Sequence, residues 1–137
     1  MLRLAACLGV TATIIEPAGF PVSDRHFRRA GMDYLDALSI ERHVSFTAFE
    51  DWRARAGRRL VLLTTHGETE LWDFRFGAGD VLMVGRESAG VPDAVQLCAD
   101  ARVRIAIRAP LRSLNVGVAA AVALAEATRQ LSRGAAQ

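Results

Sequence analysis

At 137 residues the chain is one domain by size, and with 51% hydrophobic residues it can bury a core. Charged residues make up 23%, which excludes a disordered polymer. The net charge of +2 leaves a nucleic-acid partner open, because a local basic face matters more than the total. All 17 positive residues are Arg, a bias that GC-rich codons explain. Against that background the single Asn115 invites a reason, and the single Tyr34 does so more weakly. Cys7 and Cys98 stand apart, as suits a reducing cytoplasm, and His26, His43 and His66 are too scattered for a zinc pattern. Neither a secretion signal nor an apolar run of the ~20 residues that a bilayer needs is present. The expectation is therefore a cytoplasmic domain without metal or membrane.

In chain order, Leu4–Val10 predicts a helix ending at Gly9, and the β-branched Thr11–Glu16 a short buried strand stopped by Pro17. Ser23 caps a basic helix over Asp24–Ala30, closed by Gly31. A weak strand is expected at Ala37–Ile40. Ser45 then caps a helix that carries Phe46, Phe49 and Trp52 on one stripe and ends at Gly57. Arg59–Thr65 and Asp80–Gly85 predict buried strands, and Val103–Ile107 the last strand. Pro92 is placed as the first residue of a helix. Ser113 caps a final helix to about Leu131 that is apolar nearly all round, with one side for the sheet and the other for a partner subunit. Strands alternating with helices argue for an α/β sandwich with a mostly parallel sheet.

In open α/β sheets ligands collect beyond the carboxyl ends of the strands. Three loops leave strands here: Thr64–Gly67, Gly85–Pro92 and Arg108–Asn115. Glycine at 85 and 90 lets a backbone approach a ligand, although two ordinary turn glycines explain that loop equally well by itself. The loop carries neither the P-loop nor the dinucleotide glycine signature. Asn115, at the head of an apolar helix, is read as a buried amide that either ties down a loop or orients the glycine loop around a ligand. Arg108 and Arg112 flank the same entry, either as solvated surface or as phosphate contacts.

Val84–Pro92 (VGRESAGVP) resembles the cofactor motif of the SPOUT (SpoU–TrmD) superfamily of RNA methyltransferases, with Val91 in place of a leucine. Arg112–Gln130 (RSLNVGVAAAVALAEATRQ) resembles its last motif, and the two are specific in combination. Ile14–Phe20 (IIEPAGF), Arg28–Tyr34 (RRAGMDY), Arg42–His43 and Leu63–Gly67 (LTTHG) resemble the small tRNA wobble-position ribose 2′-O-methyltransferases. The resemblance covers nearly the whole chain.

It implies a Rossmann-like domain over 1–137 with a deep C-terminal trefoil knot, and a homodimer through the last helix. It implies S-adenosylmethionine held by Leu63, Thr64, Gly85, Glu87, Gly90, Ile105, Ser113, Leu114 and Asn115. Arg3 matches the arginine of the first motif and takes the catalytic position, with orienting an RNA phosphate as its safer role. Arg25, Arg28, Arg29, Arg42 and Arg112 are expected to grip tRNA. The pattern departs in two places. The first strand and the Asn and Gly of the first motif would lie before Met1, so the domain is expected to be N-terminally incomplete. A tyrosine often found before the helix glutamate is Ala125 here. The competing readings are a ribosomal-RNA methyltransferase of the same superfamily and a non-catalytic dimeric RNA-binding protein.

Overall fold

The computed structural model describes residues 1–17, 35–85 and 90–135. The basic helix expected at Asp24–Ala30, with its cap Ser23, lies outside these residues. The chain forms two compact units, Met1–Arg55 and Ala56–Gln137.

In the first unit, helix α1 (Leu2–Leu8) ends as expected at Gly9, whose φ of 64° is left-handed. Strand β1 (Ala12–Ile15) pairs in parallel with β2 (Ile40–His43), from Ala12 opposite Ile40 to Ile15 opposite His43. The expected strand at Ala37–Ile40 is thus displaced. Leu35–Ala37 is a 3-10 turn, and pairing starts at Ile40, where the β-branched residue meets the start of β1. Helix α2 (Phe46–Ala56) is capped by Ser45, whose hydroxyl accepts from the Ala48 N–H at 3.1 Å. Its aromatic stripe buries Phe49, and the His43 ring sits 5.6 Å from Phe49 and 5.2 Å from Trp52.

The second unit is a four-stranded parallel sheet ordered β4-β6-β3-β5, made of β3 (Leu60–Leu63), β4 (Thr69–Glu70), β5 (Val81–Met83) and β6 (Ala101–Arg104). The apolar run of β3 follows from its central place. Leu60, Val61 and Leu62 are fully buried, as is Val103 of β6. Two expectations shift here. The last strand starts two residues and ends three residues earlier than Val103–Ile107, and β5, at the sheet's edge, is half-buried. The two-residue β4 and the 3-10 turn Leu71–Asp73 behind it have no counterpart in the sequence reading. They matter to the core, since Leu71 and Phe74 pack with Val61, Val103 and Ala123. The short helix α3 (Asp93–Leu97) takes Pro92 as its N-cap and not as its first residue.

Helix α4 (Val116–Gly134) starts later than expected because Asn115, not Ser113, caps it. It buries one stripe, Ala120, Ala123 and Glu126, and leaves Val118 51% and Leu131 37% exposed, so it is not enclosed all round within this chain. Its C-terminal half is fastened by Gln130 to the segment that follows the 3-10 turn Leu71–Asp73. The side-chain oxygen accepts from the Phe76 N–H at 3.0 Å, and the amide donates to the Phe74 carbonyl at 2.9 Å. Glu126 accepts two bonds from Arg129, both 2.7 Å, and one from Gln130 at 2.8 Å. Hydrogen bonds from Arg129, then from Gln130, hold its carboxyl down to about 2 from an ordinary 4.5.

A depressed carboxylate stabilises the fold above its unfolded value and stops doing so as the pH falls through its folded one. Glu126→Gln should therefore lower the thermal midpoint near neutral pH, and the deficit should vanish as the pH is taken down through 4.5 to about 2. Melting curves across that range, followed by circular dichroism, check this. A deficit unchanged at the acid end would assign Glu126 a packing role only.

Candidate functional site

The carboxyl ends of β3, β5 and β6 lie side by side because the three strands are parallel and in register. Their loops surround a cleft of about 120 Å³ lined by Leu63, Thr64, Thr65, Val84, Ile105, Ile107, Ser113, Leu114, Val116 and Ala119. The walls are aliphatic, and the polar groups among the lining side chains are the hydroxyls of Thr64, Thr65 and Ser113. Among the described residues, no titratable side chain lines it.

Each wall has a local cause. The turn after β3 is pinned across β6: the Thr64 N–H donates to the Val103 carbonyl at 2.9 Å, the Glu68 N–H donates to the Arg102 carbonyl at 3.1 Å, and the Gly67 carbonyl accepts from Arg104 at 2.8 Å. Gly67 is buried, and a Cβ there would fall 2.4 Å from the Val103 carbonyl carbon. After β5, Gly85 packs on the far end of its own loop. A Cβ on it would lie 2.8 Å from the Gly90 carbonyl carbon, and Gly90 itself has a φ of 64°. Val91, beside Gly90, is held through its carbonyl by the Gln96 side chain at 2.8 Å. After β6 the chain passes through a turn at Ala109–Pro110 and reaches Asn115. The Oδ1 of that residue accepts from the N–H groups of Gly117 at 2.9 Å and Val118 at 3.3 Å. That places Val116 and Ala119, one helical turn apart, on the cleft wall.

Of the residues proposed for the cofactor, the structure gathers Leu63, Thr64, Ile105, Ser113 and Leu114 around this cleft. Gly85 adjoins the lining Val84 and touches Gly90. Asn115 is exposed, not buried, and stands outside the lining as the helix cap. Glu87 lies outside the described residues, as do Arg25, Arg28 and Arg29. Arg3 is exposed on α1 and Arg42 is exposed on β2, both in the first unit, and Arg112 is exposed beside Ser113. The sequence reading missed Thr65, Val84, Ile107, Val116 and Ala119. Two of them had signals: Ile107 follows Ile105 by the strand period, and Ala119 follows Val116 by the helical one.

The model of the SpoU rRNA Methylase family matches residues 1–125. The chain belongs to that family. Among its relatives, the tRNA (cytidine(34)-2'-O)-methyltransferase of Beijerinckia indica is 66% identical over 131 residues, which are 96% of this chain and 82% of that protein. A structure that gives insights into the 2-OH methylation of C/U34 on tRNA superposes with a TM-score of 0.87 at 40% identity, covering 96% of this chain and 85% of the other. The SpoU methyltransferase AviRb of Streptomyces viridochromogenes, in complex with AdoMet, superposes with a TM-score of 0.84 at 30% identity. That match covers 96% of this chain and 54% of the other. The α/β fold of parallel sheets flanked by helices is that of the family's solved members.

Proposed function

We propose that this chain transfers a methyl group from S-adenosylmethionine to the ribose 2′-hydroxyl of the wobble nucleotide of tRNA. The observation that carries this reading is the 66% identity, over nearly the whole chain, with a tRNA (cytidine(34)-2'-O)-methyltransferase. The cleft fits the cofactor. Gly85 packs closely on the Gly90 backbone and the Val91 side chain beside the cleft, an approach that a Cβ would prevent. Leu63, Ile105 and Leu114 offer apolar walls to a flat base, and Thr64 and Ser113 add hydroxyls at its edge. Glu87 and Asn115 complete the set, Asn115 by fixing the start of α4.

When bound, S-adenosylmethionine supplies a methyl carbon attached to a positively charged sulfur. The chain's own residues supply alignment and dryness. Aliphatic walls exclude water from the cleft, and loops pinned by Gly67 and Gly85 keep its shape. Arg3 orients an RNA phosphate, a role that suits a guanidinium better than accepting a proton. Arg25, Arg28, Arg29, Arg42 and Arg112 hold the tRNA backbone, which makes binding salt-dependent.

The reading extends to one domain over residues 1–137 whose C-terminal part is threaded as a trefoil knot, working in the cytoplasm as a homodimer through α4. Val118 and Leu131 support the dimer, being 51% and 37% exposed on this helix. No helix among the described residues is long and apolar enough to cross a membrane. The test is incubation of the purified chain with unfractionated tRNA and S-adenosylmethionine carrying a labelled methyl. Label on the 2′-oxygen of nucleotide 34 is expected. Label that appears only on ribosomal RNA, or on no RNA, overturns the assignment.

A further inference from the structure

The described residues lining the cleft carry no charge, but basic side chains stand at its rim. Among the immediate chain neighbours of the lining residues, every ionisable side chain is basic: His66 after Thr65, Arg104 before Ile105, Arg108 after Ile107 and Arg112 before Ser113. Arg104 is committed inward, to the Gly67 carbonyl at 2.8 Å and to Glu70 at 3.1 Å. His66, Arg108 and Arg112 are exposed. Of the acids nearest the His66 turn, Glu68 is paired with Arg102 at 3.2 Å and Glu70 with Arg104.

The rim is also held in place. His66 lies between Thr64, tied to Val103, and Gly67, packed on the β6 backbone; its own N–H meets the Thr64 hydroxyl at 3.4 Å. The loop carrying Arg108 is turned by a bond from the Leu111 N–H to the Arg108 carbonyl at 3.1 Å. Exposed cations on anchored loops around an apolar mouth match a polyanion whose sugar or base must enter while its phosphates stay outside.

We propose that His66 and Arg108, together with Arg112, form a phosphate-binding rim for the RNA strand at the cleft mouth. The proposal rests on the methyl-transfer reading of the cleft. The arginines offer planar forks of N–H donors that match phosphate oxygens, and the imidazole of His66 adds a further N–H donor.

The experiment is fluorescence-anisotropy titration of unfractionated tRNA into the full chain, Arg108→Gln and His66→Gln at fixed pH and salt. Calorimetric titration of S-adenosylhomocysteine runs in parallel. Arg108→Gln and His66→Gln should each weaken tRNA binding several-fold. Cofactor-product affinity should stay unchanged in both variants. Undiminished tRNA affinity in both variants overturns the rim. Loss of S-adenosylhomocysteine affinity with tRNA binding intact overturns the rim as an RNA site and assigns it to the cofactor's carboxylate. These readouts are binding affinities, so a failure to transfer methyl to tRNA would sink the activity assignment separately.

Discussion

Gly67→Ala should lower the thermal midpoint of the chain by on the order of 10 °C, corresponding to roughly 3 kcal/mol for a domain of this size. The added methyl would meet main chain and not the end of a flexible side chain: the Val103 carbonyl carbon at 2.4 Å, the Arg104 nitrogen at 2.5 Å and the Val103 Cα at 2.9 Å. Those atoms belong to β6, an inner strand with β4 on one side and β3 on the other. Moving β6 away would disturb both ladders. Lifting the turn instead would give up the bonds from Thr64 to Val103 and from Arg104 to the Gly67 carbonyl. Either way a buried backbone group loses its partner. Differential scanning calorimetry of the variant checks the prediction, and a wild-type midpoint would mean that the turn does not press on β6 as described.

The second large effect is on the ligand and not on the fold. Gly85→Val should weaken S-adenosylhomocysteine binding tenfold or more, about 1.4 kcal/mol, with a much smaller change in melting temperature. Its Cβ would sit 2.8 Å from the Gly90 carbonyl carbon and 2.9 Å from Val91 Cγ2, forcing the two ends of the glycine loop apart. Because β5 is a half-buried edge strand, the core pays little for that opening. Asn115→Ala makes the contrast. Loss of its capping bonds should cost about 1 kcal/mol of stability, with a smaller change in affinity, since the residue is outside the lining. Equal loss of affinity in the two variants would show that the glycine contact is not what shapes the cleft.

Features with a local cause were legible in the sequence. Gly9 and Gly57 end their helices with φ near +63°, and Ser45 caps α2, because each acts within one turn of chain. The run of Leu60–Leu63 announced a buried parallel strand in the same way. Features set by partners far along the chain were not. β4 has two residues and no period to detect. It exists because Gly67 lets the chain fold down beside β6, more than thirty residues later in sequence. Ser113 and Asn115 both carry good capping groups, and the choice between them depends on where the loop after β6 ends. The cleft shows the same division. Leu63, Thr64, Ile105, Ser113 and Leu114 line it together, while Val84 and Val116 joined the wall through strand register and helix placement, which no local pattern encodes.

The order of the second unit's sheet also bears on its behaviour in a crowded solution. Its inner strands, β6 and β3, have four residues each, whereas the outermost, β4 and β5, have two and three. A strand at the margin exposes unpaired N–H and C=O groups on which another chain can build, and the hazard grows with the length of straight, apolar margin on offer. Here that margin is too short to template a ladder, and on the β4 side Glu70 and its ion-paired Arg104 add charge beside it. A parallel sheet this apolar is thereby guarded against growing by self-association at its own borders.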